Sequence, residues 1–285
     1  MIEAVQHVRR MRGGTQSHMM RCDDGHFYVV KFQTNPQHPR ALANDLFGTR
    51  LADSLGIPVP KTEIVFVDKW LVEHTSQLNF TCTSGPVPCD AGIQFGSQYA
   101  IDPTKGEVFD YLPDTMMGAV RNVCDFAGAL VFDKWTCNSD LRQAAFWRKS
   151  REKKFTAIFI DQGYCFNAQE WNFPDAPLRG VFIRNDVYWG ITGWESFEPW
   201  ITSVEQMSVD MIAHCAEGIP PEWYGHDADG LSSLIEQLSH RRTHVRRLIL
   251  EFGKSSRMPF PNWRQSSHGA VPVTWGYRKV ACAHA

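Results

Sequence analysis

Short β-type runs open the chain and helical ones close it. Residues 8–32 read as a glycine-containing loop feeding a β-hairpin: Met11-Arg-Gly13-Gly14-Thr15-Gln16-Ser17-His18 is polar and glycine-rich, and Asp24-Gly25 is a strong hairpin turn. The following run, 26–32, is apolar on both faces except for Lys31. After a loop at Asn35-Pro-Gln-His-Pro39, Ala43, Leu46, Phe47, Leu51 and Leu55 keep helical spacing over residues 40–55, and Gly56 and Pro58 supply the stop. Residues 61–66 and 70–73 predict a second hairpin across Asp68-Lys69. Residues 75–103 shift to Thr, Ser, Gly, Pro and Cys, as expected of an irregular crossover between two lobes.

Leu112-Pro113-Asp114 then opens a helix, with Asp114 as its cap, in which Val120, Val123, Cys124, Ala127, Leu130 and Val131 recur at helical spacing. That helix delivers the chain into a polar loop at 133–140, followed by a pair of short strands, one starting at Ala144-Ala-Phe-Trp147 and the other at Phe155-Thr-Ala-Ile-Phe-Ile160. A basic tip at Arg148, Lys149, Arg151, Lys153 and Lys154 joins them. Residues 164–200 have weak periodicity and many Trp, Phe, Pro and Gly, the signature of a long functional loop with aromatic anchors. Helices are predicted over 204–217 and 230–252, with an aromatic turn at 219–224 between them. In the last helix Leu231, Leu234, Ile235, Leu238, Val245, Leu248, Ile249 and Phe252 form the buried stripe, and Arg241, Arg242, Arg246 and Arg247 the exposed one. The pattern gives an α+β chain: a β-rich N-terminal lobe over 1–100, a mainly helical lobe over 101–253, and a flexible tail over 254–285.

Composition narrows the function classes. A chain of 285 residues with 43% hydrophobic content can bury a substantial core. The formal net charge of -2 offers no global field for nucleic acid or an anionic membrane. No run approaches the roughly 18 to 20 apolar residues that span a bilayer, and residues 1–7 lack a basic-then-apolar signal pattern, so a cytoplasmic location is expected. The eight cysteines are scattered without a Cys-x-x-Cys pair, which indicates neither a zinc site nor a disulfide framework. Cys82 and Cys89 flank a Gly-Pro turn and could be bridged, but free thiols are expected in a reducing compartment.

Candidate chemistry concentrates in residues 133–163. Phosphoryl transfer from a nucleotide needs one side chain to orient the acceptor and oxygen ligands for magnesium. Asp140, in the polar loop, suits the first role and Asp161, at the end of the second strand, the second. Taken singly, Asp140 reads first as a turn residue and Asp161 as a strand-end cap, so the arrangement is judged as a set. Lys31 either meets a phosphate or snorkels to the sheet edge. Asp45 lies among the small residues Ala41, Gly48, Thr49 and Ala52 on its helix face, where it could turn inward to meet Lys31.

The order of glycine loop, strand lysine, helix acid, crossover, helix, Asn-x-Asp loop, strand pair and Asp-x-Gly resembles the protein-kinase-like superfamily. Within it the chain is most similar to the HipA-like kinases, relatives of the bacterial toxin kinase HipA and of the phosphoinositide kinases. The resemblance spans about residues 8–252 and rests on Gly13-Gly14-Thr15-Gln16-Ser17-His18, Val29-Val-Lys31-Phe32, Asn35-Pro-Gln-His38, Ala43-Asn-Asp45-Leu, Asn138-Ser-Asp140-Leu-Arg142-Gln143-Ala144 and Ile219-Pro-Pro-Glu-Trp-Tyr224. It implies a bilobal protein-kinase-like fold and an ATP- and magnesium-dependent kinase acting on a serine or threonine hydroxyl of a protein. Gly13, Gly14, Thr15, Gln16 and Ser17 would cover the nucleotide phosphates. Lys31 would contact the α and β phosphates, Asp45 would hold Lys31, and residues 92–96 would form the adenine-side hinge. Asp140 would orient the acceptor and Asp161 bind magnesium.

Three departures from that pattern bear on function. The helix acid is Asp45 where glutamate is usual, implying a longer or water-bridged pair with Lys31. The metal-binding asparagine, five residues after the catalytic aspartate, is Ala145, so Gln143 or Asn138 would have to supply the missing amide oxygen. Asp161-Gln-Gly163 lacks the phenylalanine of Asp-Phe-Gly. A nucleotide-binding pseudokinase and a small-molecule phosphotransferase therefore stand beside the protein kinase. The expected partners are a protein or small-molecule phosphoacceptor and a regulatory partner, without membrane or nucleic acid.

Overall fold

The structure is a computed structural model that describes residues 1–83 and 85–264. Strands β1 (Ile2–Arg10), β2 (His18–Cys22) and β3 (Phe27–Lys31) run antiparallel, and Gly25 at the tip between β2 and β3 takes the left-handed φ of +82° that this tight turn requires. Helix α1 (Ala41–Ser54) follows, then β4 (Thr62–Val67), the one-turn helix α2 (Lys69–His74), the hairpin β5 (Asn79–Cys82) and β6 (Gly85–Pro88), and strand β7 (Gly92–Gln98). The barrel closes in the order β1-β2-β3-β7-β4, with β1 lying parallel to β4. Met20, Val30, Phe32, Val65, Val67 and Phe80 fill its interior.

Three expectations fail in this region, each for a local reason. The second hairpin does not form, because the carboxylate of Asp68 accepts from the Trp70 amide at 2.7 Å and starts a helix instead. Nor is 75–103 an irregular crossover: β7 is a barrel strand lying between β3 and β4. Gly96 belongs inside it because a Cβ there would come within 2.4 Å of Val65. Residues 92–96 are thus strand interior, not a hinge, and the chain leaves the barrel at residues 99–105.

Beyond the barrel come β8 (Gly106–Phe109), the short helix α3 (Asp114–Met117), helix α4 (Asp125–Thr136) and strands β9 (Gln143–Lys149) and β10 (Thr156–Ile160), which make a sheet in the order β10-β9-β8. The expected continuous helix from Pro113 breaks between α3 and α4. There Val120 bridges to Phe155, and the Asn122 side chain pairs with both backbone groups of Ala157. Pro113, not Asp114, is the cap position of α3, and Asp114 instead pairs with Arg184 at 3.0 Å.

Helices α5 (Trp200–Gln206), α6 (Val209–Ala216), α7 (Ala228–Arg241) and α8 (Val245–Gly253) follow; α5, α7 and α8 pack around α4, whose Phe126, Phe132 and Trp135 are fully buried, and α6 packs on α7 and α1. Ser208 caps α6 and so divides the predicted 204–217 helix, and a tight turn at 242–244 divides the predicted 230–252 helix. Arg241 is buried rather than exposed. It pairs with Asp175 at 2.7 Å and donates to the carbonyls of Trp135 and Lys134. The start of the expected flexible tail is packed, with Phe260 and Trp263 against Phe197, Phe252 and Trp194; residues 265–285 lie outside the described residues. Cys82 and Cys89 are unbridged.

Two measurements check this packing. A Cβ on Gly128 of α4 would come within 2.5 Å of the buried Trp200 ring. Gly128→Ala, stabilising by about 1 kcal/mol on an exposed helix, is therefore expected to cost roughly 1–3 kcal/mol in urea denaturation. The second concerns His18, buried between His7 at 3.1 Å and Cys89 at 3.8 Å; burial, reinforced by His7 and Arg10, lowers its pKa from 6.5 to about 4. The unfolded chain takes a proton near pH 6.5 that the folded chain refuses, so this contribution is complete above 6.5 and is lost as pH falls toward 4. Denaturation at about pH 7 and about pH 5 should show the parent losing about 1–2 kcal/mol more than His18→Gln over that interval.

Candidate active site

Lys31 ends β3 with its side chain turned away from the barrel interior and toward α1. Its ammonium meets Asp45 Oδ2 at 2.7 Å and Asp161 Oδ1 at 2.8 Å, and both Lys31 and Asp45 are buried. The pair with Asp45 is direct, so the shorter acid does not require a bridging water. Burial alone would lower the pKa of Lys31, but the carboxylates of Asp161 and Asp45 outweigh it and hold the ammonium above the ordinary lysine value. Burial pushes Asp45 up to about 6 against the pull of Lys31. For Asp161 the Lys31 charge and hydrogen bond outweigh burial, and its pKa lies below the usual carboxylate range.

The small face of α1 lets these groups meet. A Cβ on Gly48 would come within 2.8 Å of Gln162, so glycine there allows the segment after Asp161 to lie against the helix. Asp45 Oδ1 accepts from the Gln162 amide at 2.8 Å. Beside it Asn44, fully buried, donates to the carbonyls of Gly163, Cys165 and Ala168, while His38 Nε2 reaches the Gly163 carbonyl at 2.9 Å. Asp161 itself has φ +62°, a left-handed conformation that aspartate tolerates better than most residues.

A second buried ion pair carries the Asp140 loop. Arg142 makes a two-pronged contact with Asp133 of α4, one prong at 2.8 Å through Nε and the other from Nη2 to Oδ1, and also donates to the carbonyl of Ile160 and to Gln162 Oε1. Asn138 donates to Asp133 Oδ1 at 2.9 Å and accepts from the Asp140 amide at 3.1 Å. Its amide is therefore spent on shaping the loop, and Asn138 is absent from the cleft wall. Gln143 is placed differently: its Nε2 lies 3.1 Å from Asp161 Oδ2. Sequence reasoning missed Asn44, Asp133 and Arg142 as the frame of the site; for Asp133 the signal was an acid in an otherwise apolar helix, and for Arg142 an arginine between Asp140 and Gln143.

These elements enclose a cleft of about 800 Å³. Lys31, Asp45, Asp140, Gln143, Ala145 and Asp161 line it, with Gly13, Gly14, Thr15 and Ser17 over one side. Gly13 has φ +123°, reserved for glycine, and a Cβ on Gly14 would press on Gln37 at 3.1 Å. Gln16 is turned away: its side-chain amide donates to the Thr81 carbonyl at 3.1 Å and accepts from the Thr81 amide at 2.7 Å, tying the glycine loop to β5 instead of the cleft. Val29, Phe95, Tyr99, Ala100, Val108 and Ile158 form the apolar end.

A family model described as HipA-like kinase matches residues 2–251. The chain belongs to the HipA-like kinase family. No curated protein sequence matches it. Among solved structures, it is similar to the Golgi casein kinase (12% identity, TM-score 0.52, covering 92% of this chain and 78% of that one) and to the proinflammatory kinase CtkA of Helicobacter pylori (13%, 0.52, 87% and 96%). Fam20 of hydra is similar too (10%, 0.51, 89% and 86%). At such identities the likeness is one of fold. The HipA-like chain has the α+β, kinase-like architecture, a β-rich region followed by a helical one.

The two-pronged pair is open to a direct test. Arg142→Met leaves the Asp133 carboxylate buried without its cation and is expected to cost about 3–5 kcal/mol in urea denaturation. The double variant with Asp133→Leu should lose less than Arg142→Met alone.

Proposed function

We propose that this HipA-like chain is an ATP- and magnesium-dependent phosphotransferase acting on a serine or threonine hydroxyl of a protein. The supporting observation is the Lys31 ammonium, fixed by Asp45 and Asp161 at the wall of a cleft that has a glycine loop over one side and Asp140 on its lining. Kinase chemistry is chiefly positioning and charge stabilisation, and these groups supply both.

The donor set fits magnesium. Among the described residues, no three His, Cys, Asp or Glu side chains converge as a protein-only metal cage. Magnesium characteristically takes one or two carboxylates and completes its shell with phosphate oxygens and water. Asp161 Oδ2 and the Gln143 amide, which presents its oxygen after a half-turn, would hold the ion. When bound, it supplies neutralising charge at the phosphate oxygens. Lys31, kept protonated by its neighbours, would meet the phosphates from the barrel side. The amides of Gly13, Gly14 and Thr15 would close over them, and the apolar end of the cleft would take the base. Asp140 would accept a hydrogen bond from the acceptor hydroxyl, aim its oxygen at the phosphoryl group and receive its proton.

A binding-only reading rests on Ala145, which lines the cleft where kinases carry a metal-binding asparagine. Gln143 answers it physically: residues two apart share a strand face, so Gln143 presents its amide on the same side of β9 as Ala145. Phosphate transfer and ATP consumption by purified protein with magnesium discriminate the two. The parent is expected to turn over. Asp140→Ala should lose transfer by about 10²–10⁴-fold while still binding ATP, and Asp161→Asn should lose transfer together with the magnesium-dependent part of ATP affinity. ATP binding without consumption in the parent would establish the pseudokinase instead.

A further inference from the structure

Beside Asp140 the cleft has an apolar margin that nucleotide binding and phosphoryl transfer leave unused. Arg142 and Phe182 pair in a parallel bridge and both turn inward, buried. The adjacent side chains Leu141 and Ile183 are exposed at 43% and 64%, and both line the cleft, as does Tyr111 at 66%. Single exposed apolar side chains are ordinary on any protein surface. Three on one rim, next to an acid that would aim an acceptor, form a patch of the kind that marks recognition.

The backbone under this rim is pinned, so the exposure is not that of a loose loop. The Gly180 amide donates to the Asp140 carbonyl at 3.1 Å and the Arg142 amide to the Val181 carbonyl at 3.1 Å. Gly180 packs so closely that a Cβ there would come within 2.6 Å of Asp133. From behind, Arg257 donates to the carbonyls of Phe182 and Ile183 at 3.1 and 2.5 Å. Leu141 is fastened to the acid itself, since its amide donates to Asp140 Oδ1 at 2.8 Å. Tyr111 is backed by the Arg184 guanidinium, 5.2 Å from its ring.

We infer that Leu141 and Ile183, with Tyr111, are specificity-determining residues for the acceptor: a protein segment whose serine or threonine is flanked by a bulky apolar side chain that covers this rim. The inference rests on the phosphotransferase reading and names its substrate class. The rim belongs to the wall that holds Asp140, so a hydroxyl presented to that acid brings the residues next to it onto Leu141 and Ile183. A sugar or small polar alcohol would leave the patch in water. A segment with Leu, Ile, Met or Phe beside its hydroxyl removes apolar surface on both partners and holds its hydroxyl in register with the acid.

The test is phosphorylation of a peptide library with a fixed serine or threonine and every residue type at each flanking position, using the full chain with ATP and magnesium, beside Ile183→Asp and Leu141→Asp. Burial of one such side chain predicts a preference of about tenfold or more for bulky apolar residues at one flanking position. The aspartate variants should lose it and favour Lys or Arg at that same position, a change of preference that a misfolded variant cannot produce. Transfer to peptides with no flanking preference, or with a preference the variants retain, overturns the inference and leaves the phosphotransferase reading standing. Transfer to small alcohols but to no peptide overturns it as well. A parent that consumes no ATP with any acceptor overturns both readings.

Discussion

One ammonium between two carboxylates holds the working parts of this molecule in register. Lys31 belongs to the barrel, Asp45 to helix α1 and Asp161 to the loop after β10, so three elements far apart in sequence share one charged junction. A buried lysine without partners would cost several kcal/mol or give up its proton. Here it keeps the proton because two acids face it. The count is uneven, one positive against two negative: burial raises the proton affinity of Asp45, the deeper acid, while Lys31 lowers that of Asp161.

Around that junction the protein divides support from chemistry. Arg142 and Asp133 sit wholly inside, and with Asn138 they set the course of the loop that carries Asp140. Gln143, the next residue after Arg142, points the other way and reaches Asp161. Strand alternation thus sends one neighbour to the frame and the other to the cleft. On helix α1 adjacent side chains are turned about 100° from each other, and there Asn44 grips backbone carbonyls while Asp45 meets the ammonium.

Much of this was legible from the sequence, because glycine, lysine and aspartate in that order have few other uses together. Lys31, Asp45, Asp140 and Asp161 do line one cleft, and the 40–55 helix lies where its apolar spacing put it. What escaped was set by partners distant in sequence. Strand β1 buries only Ala4 among its nine residues, so no alternation announces it. Strand β7 reads as loop composition because Gly96 answers to the bulk of Val65, thirty-one residues earlier. Arg241 sits on a polar stripe by periodicity yet turns inward to Asp175. Asp68 was read as a turn residue and is a helix cap; both uses draw on the same carboxylate-to-amide bond, and only the geometry that follows separates them. Asn138 and Gln16 carry the right chemistry for a site but spend it on neighbouring backbone or on Asp133.

The grip of Asn44 on the carbonyls of Gly163, Cys165 and Ala168 has a mechanical consequence. Helix α1 and residues 163–168 are bolted together independently of the charged junction beside them, and Trp171 adds its indole N–H to the Asn44 oxygen at 2.8 Å. Loss of the ion pair would therefore not free the helix. Helix and loop are thus held as one unit by neutral hydrogen bonds that owe nothing to the charges beside them.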